Sequence, residues 1–220
     1  MPDSVLLIHG LGRTGLSMLP MARALRRAGF SPEVLDYPSR QHSVDELVAR
    51  VVTPQVEGRR AGERVHFVTH SLGGVLVRAD AAARADAGRP LDGARAVMLA
   101  PPHAGSEVAD KLGHQRPFRL ALGPTLGELG TGAAGPSRLG PIRGIEAGVI
   151  AGTRAIVPFG RWFTGPHDGL VSVASAHAPD GIADRAVVSK THALMMMSPA
   201  VIALTIRFLQ TGSFAVPGPS

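Results

Sequence analysis

Short apolar runs alternate with longer amphipathic stretches along nearly the whole chain, and this alternation limits the possible folds more than any other feature. Each run has the length of a buried strand, and each stretch that follows has the apolar spacing of a helix. Strands and helices in alternation are typical of a mainly parallel sheet with helices on both faces. The sequence therefore predicts an α/β fold.

The apolar runs predict about six strands, at residues 5–9, 33–37, 64–70, 94–100, 148–152 and 185–189. The amphipathic stretches predict helices within residues 17–28, 43–56, 72–87 and 199–209. Ser43, followed three residues later by Glu46, has the spacing of a capping box at the start of the second helix. We expect a single domain over residues 1–212, followed by a flexible tail at 213–220.

Composition restricts the function classes. Of the 220 residues, 45% are hydrophobic, which predicts a packed globular domain. The formal net charge is +6, but the arginines are scattered and aromatic residues are few, so a solvated surface is favoured over a nucleic-acid-binding face. Without cysteine, disulfides and thiolate sites are excluded.

The N-terminus lacks the features of a secretory signal, and no run reaches the ~20 apolar residues of a membrane span. We therefore expect a cytoplasmic protein without stable membrane insertion, or a secreted one if a signal was removed beforehand. The oligomeric state is left open.

Residues 101–144 interrupt the alternation. Glycine and proline recur there, and leucines stand between them. An irregular insertion of this length in a compact domain is usually functional or mobile. We interpret it as a lid over a substrate pocket, to which Leu122, Leu126 and Leu129 contribute. A loosely packed surface excursion is the alternative.

The segment Thr69-His70-Ser71-Leu72-Gly73-Gly74 joins an apolar run to a helical stretch. A serine at such a junction sits on a sharp turn, with its hydroxyl exposed above the carboxyl end of the sheet. Small neighbours are needed because the turn is tight. Ser71 is therefore the candidate nucleophile.

A second glycine-flanked turn, His9-Gly10-Leu11-Gly12, follows the first strand. It can aim a backbone N–H at the space above the serine, so the amides of Leu11 and Leu72 are the candidate oxyanion hole. A dinucleotide-binding loop is disfavoured because the G-x-G-x-x-G spacing is absent. An ordinary strand-to-helix turn stays possible.

A serine needs a base to remove its proton and an acid to orient that base. In a sheet of this kind the acid follows a late strand and the histidine follows the last one. Asp168 and His192 stand at those places and are the candidate acid and base. Asp180 and Asp184 are less favoured alternatives for the acid, and Glu146 precedes its strand. The remaining histidines are more typical of solvated or structural residues.

With these residues assembled, the chain resembles small bacterial lipases and esterases of the α/β-hydrolase superfamily. The segment Pro101-Pro102-His103-Ala104-Gly105-Ser106 looks like the P-H-x-G-S segment that follows the fourth strand in bacterial lipases. The stretch from Pro166 to Val173 looks like their acid-bearing turn, D-G-x-V. The resemblance implies a minimal α/β-hydrolase fold that cleaves esters through an acyl-serine intermediate, without any cofactor. The calcium site of some larger bacterial lipases cannot be placed on residues of this sequence, so no metal is expected. Thr69 departs from it, because the family usually has glycine two residues before the nucleophile. The two antiparallel strands that usually precede the first strand are also missing.

The favoured function is that of a carboxylesterase or lipase acting on a small-molecule ester with an apolar acyl chain. Acyl transfer on the same triad and a non-catalytic binding protein of the same fold are the alternatives. Methionines 195–197 suggest an adaptable acyl pocket that includes Met195, although such a run is more often core.

Overall fold

The computed structural model describes residues 2–60, 63–156 and 159–216 of the chain. Its described residues contain a 6-stranded sheet made of β1 Ser4–Ile8, β2 Ser31–Leu35, β3 Val65–His70, β4 Arg95–Leu99, β5 Glu146–Gly152 and β6 Ile182–Val188. The strand order is β2-β1-β3-β4-β5-β6, and every neighbouring pair is parallel. The predicted parallel sheet of about six strands is therefore confirmed.

The described helices are α1 Leu19–Arg27, α2 Val44–Leu47, α3 Thr53–Glu57, α4 Leu72–Asp86, α5 Glu107–Leu112, α6 Arg116–Leu122, α7 Thr125–Glu128, α8 Val173–Ala176 and α9 Pro199–Thr211. Two apolar cores flank the sheet. One contains residues of α2 and α4, and the other contains residues of α1 and α9. Within β1, Leu6 belongs to the first core and Leu7 to the second, because successive side chains of a strand point to opposite faces. This two-sided burial explains why β1 is apolar from Val5 to Ile8.

The predicted helix at 43–56 is present but interrupted. Ser43 caps α2, with its side chain and that of Glu46 forming the expected capping box. A turn of π-helix, Val48–Val52, then separates α2 from α3. Pro54 lies in the first turn of α3, where a proline is tolerated although it has no backbone N–H to donate. The wider π-helical turn before it lets the chain continue past the proline.

The strand bounds differ most at β6, which begins at Ile182 rather than at residue 185. This strand lies at the edge of the sheet, where its side chains alternate between partly buried and exposed. Its first residues therefore include polar Asp184 and Arg185, and these hide the strand from a reading based on apolar runs.

The expectation of an irregular segment at 101–144 was wrong. The segment contains α5, α6, α7 and a 3-10 turn at Pro136–Leu139. Ser106 caps α5 by accepting a hydrogen bond from the N–H of Ala109, and Gly123 ends α6 at φ 77°. The glycines and prolines thus bound short helices, which apolar periodicity is too brief to reveal.

The C-terminus packs further than expected. Phe214, which was predicted to lie in the flexible tail, is buried with its ring centroid 4.9 Å from that of Phe208. Its N–H donates to Asp184 Oδ2 at 2.7 Å. Residues 217–220 of the predicted tail lie outside the described residues. Of the described helices, none has both the length and the apolar character that a membrane crossing requires.

Candidate active site

Ser71 occupies a sharp turn between β3 and α4. Its backbone has φ 52° and ψ −118°, a conformation that costs a non-glycine residue free energy. The turn is fixed on both sides, since Ser71 N–H donates to Leu99 O at 2.8 Å and Gly74 N–H donates to Ser71 O at 2.9 Å. A strained serine held in this way is the geometry expected of a nucleophile at the end of a strand.

Small residues around the turn are required by close packing. A Cβ on Gly73 would lie 2.6 Å from Ile8 O, so any larger residue would push α4 away from β1. Thr69, the departure from the family pattern, is accommodated by Gly74. A Cβ on Gly74 would lie 3.3 Å from Thr69 Oγ1 and 2.8 Å from Pro101 Cβ. The turn thus keeps its strained shape with threonine two residues before the serine.

Asp168 and His192 form a buried pair. Asp168 Oδ2 lies 2.8 Å from His192 Nδ1, and the side chains of both residues are buried. The other carboxylate oxygen, Oδ1, accepts from the N–H groups of Leu170 at 3.0 Å and Val171 at 2.9 Å. His192 N–H also donates to Asp168 O at 3.0 Å. The carboxylate is therefore held in one orientation and can fix the tautomer of the histidine.

The alternative acids lie elsewhere. Asp184 accepts hydrogen bonds from Ser213 Oγ and Phe214 N–H, and thereby anchors the C-terminal segment. Asp180 is exposed. Glu146 pairs with Arg95 at a distance of 2.7 Å. Both residues lie at the amino-terminal ends of their strands, β5 and β4, whereas Ser71 follows the carboxyl end of β3. Among these carboxylates, all within the described residues, none is bonded to His192.

His70 is a contributor that the sequence analysis missed. Its Nε2 lies 2.9 Å from His192 O, and the two rings are 4.7 Å apart between centroids. Burial lowers the pKa of His70 well below its ordinary value, so the ring is neutral and its Nε2–H donates to the carbonyl. The signal was its position beside Ser71 at the end of β3.

His9, expected to be structural, is buried against Tyr37 with ring centroids 4.2 Å apart. Burial lowers the pKa of His9, although the nearby Asp36 carboxylate opposes this effect. Tyr37 Oη donates to His9 O at 2.7 Å, so the two side chains brace the turn that follows β1.

The two candidate oxyanion amides have no hydrogen-bond acceptor in the described ranges of the chain. Leu11 N–H and Leu72 N–H donate no hydrogen bond to another described residue. Leu72 is the first residue of α4, where helix geometry leaves the N–H groups unpaired. Leu11 lies in the wall of the cavity described next. Both amides are therefore available to an incoming oxygen atom.

Ser71 and His192 line one cavity of about 530 Å³. Within the described residues, Ser71 Oγ makes no hydrogen bond to the His192 ring, and such contacts often tighten only when substrate binds. Most of the remaining wall is apolar. Its members from the 101–144 segment include Val108, Leu112, Phe118, Leu122, Leu126 and Leu129.

Three of the four predicted pocket residues, Leu122, Leu126 and Leu129, thus line the same cavity as Ser71. Met195 lies elsewhere. It is fully buried in the core formed with α1 and α9, and it does not line the cavity. The methionine run therefore serves packing at this position, as the alternative interpretation held. Among the described residues, no three His, Asp or Glu side chains are grouped so as to hold a metal ion.

Comparison with known proteins gives the same architecture. The chain is similar over 95% of its length to 94% of the mature Bacillus licheniformis lipase BlEst2, with a TM-score of 0.70 and 20% identity. It also resembles the metagenomic carboxyl esterase MGS0156 (TM-score 0.68, 22% identity, 86% of this chain and 64% of that one). A type II thioesterase of yersiniabactin biosynthesis, YbtT, covers 94% of this chain with 93% of its own, at a TM-score of 0.67 and 12% identity.

A search of curated proteins finds no match. The sequence model described as the alpha/beta hydrolase family matches residues 5–208, which is nearly the whole chain. The matched span includes the six strands, apart from the first residue of β1. It also includes the residues around Ser71, Asp168 and His192. This chain therefore belongs to the alpha/beta hydrolase family.

Proposed function

We propose that the protein is a serine hydrolase that cleaves carboxylic esters with apolar acyl chains. The observation that carries the proposal is the meeting, at one largely apolar cavity, of a strained serine and a buried, hydrogen-bonded His192–Asp168 pair. A surface that only binds a partner needs neither the strained serine nor the buried hydrogen bond between the histidine and the aspartate.

The chemistry follows the geometry. Ser71 Oγ attacks the ester carbonyl carbon while His192 Nε2 takes its proton, and the carbonyl oxygen becomes an oxyanion that accepts hydrogen bonds from Leu11 N–H and Leu72 N–H. The bond to the alcohol oxygen then breaks, and His192 returns the proton to that oxygen. Water repeats the two steps on the acyl-serine and releases the acid. Asp168 keeps Nδ1 protonated throughout, so that Nε2 is free to accept.

A fluorophosphonate probe and an ester series test the proposal together. The probe forms a bond to an activated serine oxygen and releases fluoride, so we expect stoichiometric labelling at Ser71, located by peptide mass spectrometry. We also expect turnover of p-nitrophenyl esters from acetate to palmitate. Absence of both labelling and turnover would contradict the proposal and favour a non-catalytic member of the fold.

The apolar wall provides a prediction on chain length. Leu122 lines the cavity and is only partly buried, so Leu122→Asp is expected to leave the fold intact. The variant should raise KM for octanoate more than for acetate, because each buried methylene contributes on the order of 0.8 kcal/mol and the loss grows with chain length. Steady-state kinetics across the ester series measure the effect.

Leu16→Asp is the matched control, since Leu16 is 73% exposed and does not line the cavity. It should leave the whole series unchanged. Equal increases in KM for acetate and octanoate in Leu122→Asp would show that the 101–144 segment takes no part in acyl binding.

A further inference from the structure

A second cavity adjoins the first and differs from it in character. Its volume is about 550 Å³, and its wall is formed mainly by polar residues of the loops that follow β1 and β2. Arg13 belongs to the walls of both cavities. Helix α6 also contributes to both, with Phe118 and Leu122 on the apolar cavity and Leu120 on the polar one. The two cavities are therefore neighbouring compartments that meet at Arg13.

Two arginines in the polar cavity have no carboxylate partner in the part of the chain that the structure describes. Arg13 Nη2 donates to Ala193 O at 3.1 Å, and Arg40 Nη1 donates to Ala121 O at 3.3 Å. Neither guanidinium lies within 4.0 Å of an acidic side chain among the described residues. Each guanidinium group keeps most of its N–H donors available. Their planar, forked arrangement matches the oxygens of a carboxylate or a phosphate.

Of the described residues that line this cavity, only Asp36 is acidic, and its carboxylate already has hydrogen-bond partners. Its Oδ1 accepts from Gly15 N–H at 2.8 Å and lies 3.3 Å from His9 Nε2. Two arginines against one carboxylate leave the cavity with a net positive charge. Partial burial of Arg13 also lowers its pKa, which indicates that its charge is incompletely solvated there.

The location of Arg13 decides which part of a substrate it would meet. Its hydrogen bond to Ala193 O holds the guanidinium next to the residue that follows His192. In the proposed hydrolysis, His192 gives its proton to the departing alcohol oxygen, so the alcohol portion lies on the His192 side of Ser71. The acyl chain occupies the apolar wall formed by the 101–144 segment.

We propose that Arg13 and Arg40 bind an anionic oxygen group, a carboxylate or a phosphate, on the alcohol portion of the ester. This inference rests on the proposed function and narrows its substrate class to esters that join an apolar acyl chain to an anionic alcohol. The two arginines act as specificity-determining residues, since they attract the leaving portion and take no part in proton transfer.

Two matched ester pairs test the inference in the full-length protein. The first compares the octanoyl ester of 3-hydroxy-4-nitrobenzoic acid with 2-nitrophenyl octanoate, which lacks only the carboxylate. The second compares 1-octanoylglycerol 3-phosphate with 1-octanoylglycerol by octanoate release. We expect wild-type kcat/KM to favour the anionic member of at least one pair, and the favoured pair identifies carboxylate or phosphate as the group bound.

In the double variant Arg13→Gln/Arg40→Gln, the ratio of kcat/KM for the anionic over the neutral ester should fall about tenfold or more, because charge-assisted hydrogen bonds are lost. Arg40→Gln alone should lower the ratio by roughly threefold, and this exposed position keeps the test available if the Arg13 change unfolds the protein. Salt at 0.5 M should reduce the wild-type ratio as well.

Arg27→Gln is the control for net charge. Arg27 is an exposed residue at the end of α1. Because α1 leads into the start of β2, Arg27 lies at the amino-terminal ends of the strands, away from Ser71 at the carboxyl ends. It should leave the ratio unchanged. A ratio that the double variant does not alter, with both esters still cleaved, would overturn the inference alone. Failure of the wild-type protein to cleave any of the four esters would instead contradict the proposed function, and the inference with it.

Discussion

Replacement of Ser71 by alanine is expected to lower kcat for p-nitrophenyl butyrate by at least about 10³-fold, because the acyl-enzyme can no longer form. The remaining oxyanion donors and the binding cavity supply only residual catalysis. Fluorophosphonate labelling should disappear completely. The fold should survive, since Ser71 Oγ makes no hydrogen bond to another described residue and alanine fits the same space.

A strained position also makes a prediction about stability. The φ of 52° disfavours serine and alanine alike, so Ser71→Ala should change Tm by only a few degrees at most. Ser31→Ala is the matched control, because Ser31 begins β2 and so lies at the ends of the strands opposite to Ser71. It should retain full activity and labelling. More than a few per cent of wild-type kcat in Ser71→Ala, after removal of any contaminating esterase, would refute the assignment of the nucleophile.

The sheet could be predicted from sequence because its central strands are buried on both faces. Every residue of β1 and β3 is buried, and apolar residues form most of β1 and half of β3, so both strands could be recognised from the sequence. The turn at Ser71 could be predicted for a related reason. It lies between such a run and a long helix, and the glycines that follow are required by contacts within two neighbouring elements.

The segment at 101–144 could not be predicted in the same way. Its helices α5 and α6 span 6 and 7 residues, too short to show an apolar period or to be stable alone in water. Helix α7, which spans only 4 residues, is held by contacts with distant parts of the chain. Thr125 Oγ1 donates to Ser39 O at 3.2 Å, and Glu128 Oε2 accepts from Val44 N–H at 2.7 Å. Sequence-local patterns contain no record of these partners.

The site shows the same division between local and distant information. Asp168 and His192 could be selected because each follows a parallel strand, and the carboxyl ends of these strands lie on the same side of the sheet as Ser71. The sequence places His70 next to Ser71, but its bond to His192 O joins residues 122 positions apart, so no local pattern indicates the partner. Met195 failed for a further reason. A run of three methionines is more often core than pocket, and only the packing of Met195 among α1, α9 and the sheet decides between the two roles.

Asp168 is the residue whose isosteric change should act most selectively on the chemistry. Its Oδ1 is fixed as an acceptor by two backbone N–H groups, from Leu170 and Val171. An asparagine at 168 must therefore keep its carbonyl oxygen on those amides and turn its NH₂ toward His192 Nδ1. An NH₂ group cannot accept a hydrogen bond from Nδ1–H, so the imidazole must carry its proton on Nε2 instead. That tautomer cannot take the proton of Ser71.

Asp168→Asn is accordingly expected to lower kcat by on the order of 10⁴-fold at neutral pH, with little change in KM. Stopped-flow or steady-state kinetics of ester hydrolysis measure kcat, and Tm shows whether the variant is folded. Asp184→Asn and Asp180→Asn are the controls. Asp184→Asn weakens the bonds to Ser213 and Phe214 and should lower Tm while sparing kcat, and Asp180→Asn should alter neither. Loss of kcat in Asp184→Asn or Asp180→Asn, with Asp168→Asn still active, would assign the orienting acid to the other turn. Because the three variants remove the same charge, a difference among them reports the hydrogen bond to His192 rather than the electrostatics of the whole protein.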